Sequence, residues 1–448
     1  MLAFTPVPPL GGHPLLIFLL QLGLLLLVAT LMGMLARRLS MPALVGELLT
    51  GVLLGPSLLG STAPAAFHYL FPQNPEQVHM LDAFGQVGVL LLVAITGLQL
   101  DLKFIRRHKS TAAKVSLPGF VIPLTLGVGA GLLVPVTLLA PGSDQATFAV
   151  FIGVAMSVSA IPVIAKTLID LNMLHRNVGQ MILMTGTVDD LLGWIGLSVV
   201  TAMATTGLRA AGIGLALAYL IGVIVAAFLL RPLVRKLMLA TLRNGEAKMT
   251  LAAAVAVIML FSIVTHQLHL EAIFGALLAG MLIRSGGPEV MARLLPIRAI
   301  VAAVLAPIFF ATAGLRMDLT ALADPDVLTT AAALLVIAIV GKFTGAFIGA
   351  RLSRLNRWEA MALGAGMNSR GVIEVVIAMV GVRLGVLTPA MYTCIVLIAV
   401  VTSLMGPPIL RYAVARLEPT AEERLREREN DPVPSAVGVP SAVPQEVR

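Results

Sequence analysis

The sequence predicts an all-α polytopic membrane protein with about thirteen transmembrane helices. Of its 448 residues, 58% are hydrophobic and only 12% are charged, against about 25% charged residues in a typical soluble domain. The mean hydropathy is +0.96, and the 41 glycines and 27 prolines suit closely packed and interrupted membrane helices. The single cysteine, Cys394, excludes a disulfide framework or a thiolate metal site, and we expect no cofactor.

Thirteen apolar segments approach the length of roughly 20 residues that a membrane-spanning helix needs. The ninth is the shortest of them. Because their number is odd, the two ends of the chain are predicted to lie on opposite sides of the membrane. The segments cover approximately residues 14–35, 41–59, 80–100, 114–139, 146–169, 178–204, 209–230, 249–268, 270–284, 297–315, 328–350, 358–382 and 388–411.

Basic residues are distributed unevenly between the loops that connect these segments. Nineteen lie in the loops after the odd-numbered segments one to eleven, and only Arg209, Arg316 and Arg383 lie in the opposite loops. Cytoplasmic loops of membrane proteins are enriched in lysine and arginine. The pattern therefore predicts a multi-pass protein of the plasma or inner membrane, with its N-terminus outside and its C-terminus in the cytoplasm. It also explains the net charge of +8 without nucleic acid as a partner.

The segments divide the chain into two similar units. Segments one to six, residues 14–204, and segments eight to thirteen, residues 249–411, would form two six-helix repeats joined by a linker span at 209–230. A single linker span inserts the second repeat upside down, which is the inverted topology common in secondary transporters. Residues 1–411 are thus the predicted transmembrane domain. Residues 412–448 are a predicted cytoplasmic tail, charged at first and then disordered.

Interrupted helices are predicted at corresponding positions of the two repeats. The fifth segment of the first repeat contains Ser157, Ser159 and Pro162, and the fifth segment of the second contains Asn368 and Ser369 between glycines. Proline removes a helix hydrogen bond, and unwound backbone offers carbonyl oxygens to a cation. The simpler alternative is a proline kink in one helix and polar packing in the other. The matching positions favour two broken helices that cross.

Two adjacent aspartates, Asp189 and Asp190, lie near the middle of the sixth segment. A carboxylate at this depth costs about 2.5–3.5 kcal/mol, so intramembrane carboxylates usually mark an ion or proton site. Adjacent residues point about 100° apart on a helix, so one aspartate should meet a partner and the other the transport path. Lys342, in the middle of the eleventh segment, is the natural partner. Extension of its side chain to the membrane surface is the alternative.

Three further charged residues are of interest. Arg370 follows the interruption of the twelfth segment, and Glu374 lies four residues later, the spacing at which helical side chains meet. We expect them to pair, with Arg370 ordering the broken helix or contacting the ion. Glu271 lies at the predicted outer end of a span, where the sequence predicts a solvated surface.

Four motifs in order carry a resemblance to a known family. They are residues 157–166 (SVSAIPVIAK), 188–190 (VDD), 307–315 (PIFFATAGL) and 367–374 (MNSRGVIE). Together they resemble the second branch of the monovalent cation/proton antiporters, the sodium/hydrogen exchanger-like proteins. The first and last motifs are similar to the membrane domain of plant cation/proton exchangers, and bacterial Na⁺/H⁺ antiporters belong to the same group. The resemblance covers about residues 14–411.

This resemblance implies a homodimer, in which each protomer has a core domain with the crossed broken helices and a separate dimerisation domain. It implies that Asp190 alternately binds the transported metal cation and a proton, and that Asp189 pairs with Lys342. Thr187 and Ser159 would be polar neighbours of the site. The cation would be Na⁺ or K⁺, with Li⁺ as a further candidate.

The resemblance also bears on stoichiometry and on competing functions. In the family, a double aspartate with a membrane lysine accompanies electrogenic exchange, whereas plant exchangers usually have Asn-Asp; we expect electrogenic exchange here. The alternatives are a potassium-efflux type antiporter with a separate regulatory subunit, a channel, or a transporter of organic substrates. An intramembrane protease is disfavoured, because adjacent residues of one helix cannot both face a scissile bond. The sequence therefore predicts a secondary transporter and not an enzyme.

Overall fold

The computed structural model describes residues 11–39, 41–72, 74–99, 109–160, 164, 168, 171, 173, 176–206, 210–243, 246–268, 270–421 and 423–424. These residues form helices, together with one isolated backbone bridge between Leu139 and Leu387. The helices are α1 (Gly12–Arg38), α2 (Ala43–Leu54), α3 (Leu59–Thr62), α4 (Pro64–Leu70), α5 (Pro75–Gln99), α6 (Lys109–Leu133), α7 (Gln145–Ser157), α8 (Asn177–Thr206), α9 (Ala210–Arg243), α10 (Ala247–Gln267), α11 (Ala272–Arg284), α12 (Pro288–Arg293), α13 (Leu295–Leu315), α14 (Pro325–Leu352), α15 (Arg357–Met367), α16 (Val372–Arg383) and α17 (Pro389–Val414).

Fewer of the described helices reach membrane-spanning length than the thirteen crossings that the sequence predicts. Within the described residues, ten helical stretches are long and apolar enough to cross a membrane alone, one of them formed by α2 with α3 (Ala43–Thr62). Helices α15 and α16, bent by 41°, together make an eleventh. Two further apolar helices, α7 and α11, have 13 residues each and are shorter than a single-helix span. The all-helical polytopic fold is therefore confirmed, whereas the count of thirteen stays a prediction.

The long helices form two bundles. We call one of them the site bundle, because its helices and the segments between them carry the candidate site residues that the sequence predicts. It consists of α6, α7, α8, α14, α15, α16 and α17. The support bundle consists of α1, α2, α5, α10, α11 and α13. Helix α9 packs against α8 of the first bundle and against α10 and α11 of the second, and the direct contacts between the bundles are few. Each bundle combines helices from both predicted repeats.

Glycine allows very close helix packing inside both bundles. A Cβ atom at Gly280 of α11 would lie 2.1 Å from the Ala94 carbonyl oxygen of α5. A Cβ atom at Gly345 of α14 would lie 2.5 Å from the Pro118 carbonyl oxygen of α6. Small residues at membrane-helix interfaces let backbones approach closely. Any larger residue at these two positions would push the paired helices apart.

The chain after α17 folds back onto the start of α8. Arg176 donates a hydrogen bond of 2.7 Å to the Leu417 carbonyl oxygen. The Glu423 carboxylate accepts a hydrogen bond of 2.6 Å from the backbone N–H of Asn177 and lies 3.5 Å from the Arg176 guanidinium. A carboxylate at a helix N-terminus is stabilised by the unpaired N–H groups there. The first part of the predicted tail is therefore docked on the helix that carries the two aspartates.

Candidate functional site

The two predicted interruptions lie against each other. Helix α7 ends at Ser157, and the next described residues are not helical; α15 ends at Met367 and α16 begins at Val372. The Ala160 N–H donates to the Ser369 carbonyl oxygen at 3.1 Å, and the Ser159 hydroxyl donates to the Met367 carbonyl oxygen at 2.7 Å. The unwound segments thus satisfy part of each other's backbone hydrogen bonding at a fully buried place. Pro162 lies outside the described residues.

Two buried cations cap the C-terminal end of α7. The Arg370 guanidinium donates to the carbonyl oxygens of Ala155 at 2.9 Å and Met156 at 2.5 Å. The Lys342 ammonium donates to the carbonyl oxygen of Ser157. The last carbonyls of a helix lack partners within the helix, and positive charge is favourable beside them. The end of α7 is therefore stabilised by one side chain from α14 and one from the unwound segment between α15 and α16.

Arg370 also binds within its own segment and to α14. Its guanidinium donates to the Ala338 carbonyl oxygen at 3.1 Å and forms an ion pair of 3.3 Å with Glu374, one turn further along the chain. The Ser403 hydroxyl of α17 donates to the Arg370 carbonyl oxygen. Both side chains of the ion pair are buried. These contacts give Arg370 a positioning role for both broken helices.

The aspartates lie in α8, directly beside this junction. Asp189, Asp190 and Lys342 are each 0% exposed. Lys342 donates to Asp189 Oδ2, and the Ser159 hydroxyl donates to the same oxygen at 3.3 Å. The lysine side chain therefore remains in the protein interior instead of extending to the membrane surface. Asp190 points about 100° away from Asp189 around the helix.

The structure brings to Asp189 one hydroxyl group that the sequence did not indicate, that of Ser116. Thr187 donates to its own helix, to the carbonyl four residues earlier at 2.8 Å. Thr185 is fully buried and contacts the Met367 sulfur at 3.0 Å. Ser116 of α6 donates to the Thr185 carbonyl oxygen at 3.3 Å and lies beside Asp189. Ser116 lies on a different helix from Asp189, so no spacing along the sequence could have identified it.

Several buried oxygen atoms at the junction have no hydrogen-bond partner within the described part of the chain. They are Asp189 Oδ1, Asn368 Oδ1 and Glu374 Oε2. Buried polar atoms usually have a partner, and exceptions call for an explanation such as an ion or a water molecule. Hard cations prefer oxygen ligands of this kind. The donor set is thus chemically suited to a transported monovalent cation.

The prediction for Glu271 was wrong. This residue is 2% exposed, although its position at the end of a span indicated a solvated surface. Its carboxylate accepts a hydrogen bond of 3.0 Å from Thr201 of α8 and forms an ion pair with Arg383 at the end of α16. Because two helix ends converge on the start of α11, the carboxylate is covered by protein.

Fold and site together define a class of protein. Two interrupted helices meet inside a helical membrane protein, beside two buried aspartates and a buried lysine on neighbouring helices. Discontinuous helices that meet at buried ionisable residues are the arrangement of ion-coupled secondary transporters. The model of the transmembrane domain of sodium/hydrogen exchangers matches residues 24–415, and the chain belongs to this family.

Individual relatives agree with the family assignment. The chain is 30% identical over 404 residues to the Na⁺/H⁺ antiporter NhaS4 of Synechocystis, covering 89% of this chain and 97% of the relative. It is 27% identical over 403 residues to cation/H⁺ antiporter 17 of Arabidopsis thaliana. Here the match covers 89% of this chain but only 48% of the relative, so the chain spans about half the length of the plant protein.

A solved structure has the same fold. The sodium proton antiporter MjNhaP1 from Methanocaldococcus jannaschii superposes with a TM-score of 0.66 at 17% identity, covering 90% of this chain and 97% of that structure. At this identity the likeness concerns the fold alone. The sequence-based expectation of an antiporter fold, drawn from four short motifs, is therefore confirmed.

Proposed function

We propose that this protein exchanges a monovalent cation, Na⁺ or K⁺, for protons across a cell membrane by alternating access. The proposal rests on one observation above all: two carboxylates and a lysine are buried at the junction of two broken helices. The names of the relatives, a Na⁺/H⁺ antiporter and a cation/H⁺ antiporter, support the same activity. Asp190 is the group that binds cation and proton in turn.

Charge balance explains how such a site would couple the two ions. The buried cluster consists of Asp189, Asp190, Glu374, Lys342 and Arg370, so it carries one net negative charge when every member is ionised. An uncompensated charge in the membrane interior costs about 2.5–3.5 kcal/mol. While Lys342 stays charged, one proton or one cation on Asp190 removes the net charge. The cluster then moves between the two membrane faces only when it is loaded, and exchange follows without any direct contact between the two ions.

Lys342 decides the stoichiometry in this proposal. It is held by Asp189 and by the Ser157 carbonyl oxygen. If cation binding releases Lys342 from Asp189 and the lysine loses its proton, two protons move for each cation. The cation-loaded cluster then keeps one negative charge as it crosses, with the cation shared by Asp189 and Asp190, and the exchange is electrogenic. If Lys342 stays charged, one proton moves. We propose the electrogenic mode, and the coupled aspartates and lysine then titrate as a unit.

The remaining features complete the proposal. The protein would act as a homodimer, with the N-terminus outside and the C-terminal tail in the cytoplasm. The two six-helix repeats, residues 14–204 and 249–411, would be related by inverted topology, with 209–230 as the linker. Both broken helices come from the fifth position of their repeat and contact each other, which supports that division.

The proposal is tested with purified protein in liposomes that contain a pH-sensitive dye. Addition of Na⁺, K⁺ or Li⁺ to one side should change the internal pH for at least one cation. Asp190→Asn should abolish this response while the protein elutes as a single folded species. Glu246→Gln, which changes a carboxylate at the exposed start of α10, is the matched control and should retain exchange. Substantial exchange by Asp190→Asn would contradict the proposal.

A further inference from the structure

A second charged cluster lies far from the aspartates, at the C-terminal end of α8. Glu271, the residue before α11, belongs to the support bundle. Its two carboxylate oxygens are bound by the site bundle: Oε1 accepts from Thr201 of α8 at 3.0 Å, and Oε2 pairs with Arg383 at the end of α16. One buried carboxylate therefore joins the two bundles through two helices that carry the ion site.

This cluster is not part of the ion site. Thr201 follows Asp190 by eleven residues, which places it about 16 Å further along α8 at 1.5 Å per residue. Arg383 follows Glu374 by nine residues, about 13 Å along α16 by the same rise. The cluster thus lies at one end of the bundle, on the side that the basic loop residues predict to be outside.

The Glu271–Arg383 ion pair lies at one of the few places where the two bundles touch directly. Apart from the connecting helix α9, the site and support bundles touch mainly where α8 meets α11 and where α13 meets α16. Among the described residues, a further ion pair joins Asp82 of α5 to Arg316, the residue after α13, at 2.5 Å and stays within the support bundle. Glu271 is buried whereas Arg383 is 43% exposed, so the carboxylate depends on these partners for compensation.

We propose that Glu271 and Arg383, with Thr201, form a latch that holds the two bundles together at the C-terminal end of α8. The latch is closed while Asp190 is reached from the opposite end, and it opens each time Asp190 becomes accessible from this end. The proposal rests on alternating access as proposed above. It adds three residues to the transport cycle, none of which contacts the ion.

A reversible cross-link tests the latch. In a Cys394→Ser background, Glu271→Cys with Arg383→Cys is joined by a short bifunctional thiosulfonate reagent, and exchange is measured in liposomes before and after reduction. The latch predicts that the cross-link abolishes exchange and that reduction restores it. The matched control is Asp82→Cys with Arg316→Cys, an ion pair inside one bundle, whose cross-link should leave exchange unchanged.

Accessibility gives a second test that does not require the double variant. A Ser198→Cys reporter, buried on α8 one turn before Thr201, is labelled with a membrane-impermeant thiol reagent from the C-terminal side of α8. Arg383→Gln should raise the labelling rate roughly threefold, the factor expected for loss of a half-exposed ion pair.

Two outcomes would overturn the latch. One is full exchange by the cross-linked Glu271→Cys/Arg383→Cys protein, and the other is an unchanged or slower labelling rate in Arg383→Gln. Neither outcome contradicts the proposed function. That proposal fails only if the uncross-linked protein shows no exchange with any of the three cations, or if Asp190→Asn retains exchange. The two proposals therefore fail separately.

Discussion

Two ion pairs are buried in the site bundle, and they differ in what each cation binds. Arg370 pairs with Glu374 one turn away and also donates to three backbone carbonyl oxygens, of Ala155, Met156 and Ala338. Lys342 pairs with Asp189 on a different helix and donates to one carbonyl oxygen. The arginine is thus bound mainly to backbone carbonyl oxygens, two of them at the end of α7. The lysine is bound mainly to a carboxylate that a cation could take over.

The chemistry of the two side chains matches this difference. Arginine presents several donors in a rigid planar fork and stays charged in proteins, whereas a buried lysine can lose its proton. A permanent charge suits the end of a broken helix, whose carbonyls need a donor in every state. A charge that can be removed suits a site that must accept a metal cation. We infer that Arg370 fixes the junction and that Lys342 responds to the ion.

The largest expected effect is that of Arg370→Met. This change leaves Glu374 as an uncompensated buried charge and removes the donors to three carbonyl oxygens. Breaking a buried pair in this way costs about 3–5 kcal/mol, so the variant should lose most of its folded yield and melt at a clearly lower temperature in detergent. Arg370→Met with Glu374→Gln should recover part of that loss. Equal melting temperatures of Arg370→Met and the wild type would contradict a fixed junction.

A functional change without unfolding is expected for Lys342→Arg. The arginine keeps the positive charge beside Asp189 but does not give up a proton. If exchange is electrogenic in the wild type, this variant should move one proton per cation and lose its dependence on membrane potential. The measurement compares exchange rates in liposomes with and without a potential clamp. Unchanged potential dependence in a folded Lys342→Arg protein would mean that Lys342 does not take part in proton coupling.

Sequence reasoning identified the residues that membrane burial makes costly. Asp189, Asp190 and Lys342 are conspicuous because a charge inside an apolar segment needs a reason, and the Arg370–Glu374 spacing predicts a pair on one helix. The backbone partners of Arg370 could not be predicted, because a carbonyl at the end of α7 has no signal in the side-chain sequence. Those contacts depend on how two segments more than 200 residues apart meet.

The features that the sequence could not indicate depend on how helices pack against one another. Glu271 was assigned to the surface because a position at a span end is solvated unless other helix ends cover it, and that coverage is a tertiary property. Ser116 was not predicted because it reaches Asp189 from α6, a contact that depends on how two helices pack. The count of thirteen crossings stays a prediction, because α7 stops at Ser157 and its length alone does not decide whether this segment crosses the membrane.

A smaller effect is expected where the break packs against α17. A Cβ atom at Gly406 would lie 2.2 Å from the Ser369 hydroxyl oxygen, so Gly406→Ala must displace the unwound segment. Overpacking of this kind typically costs about 1–3 kcal/mol of stability. We expect a clearly slower exchange rate in a protein that still folds. Gly23→Ala in α1, where no neighbouring atom lies within 4 Å of the added Cβ, is the control. If both variants behave like the wild type, the position of Ser369 does not matter for transport.

The smallest effect concerns the ion pair between Arg176 and Glu423, at the start of α8 where the tail docks. Burial opposes ionisation of Glu423, but the N–H groups of Asn177 and Thr420 and the Arg176 guanidinium hold its pKa below the ordinary value of 4.5. Because the pKa is depressed on docking, the carboxylate stabilises the docked tail fully above pH 4.5 and loses this contribution as the pH falls through its lowered pKa.

Hydrogen exchange of the tail measures this contribution. Protection of residues 417–424 should be constant near neutral pH and lower in Glu423→Gln at every pH above 4.5, by an amount in the range of about 0.5–2 kcal/mol that helix-capping groups contribute. Exchange activity should change little. A tail that is equally protected in Glu423→Gln would show that Arg176 and Leu417 alone hold it.

The most direct test of the central claim is to count the protons that leave the purified protein when a cation binds. Na⁺, K⁺ and Li⁺ are added in turn to weakly buffered protein in detergent, with a pH indicator in solution. The account predicts that the wild type releases protons on addition of its transported cation and that Asp190→Asn releases none. Equal proton release by Asp190→Asn would contradict it, because the exchange of proton for cation would then occur at another group.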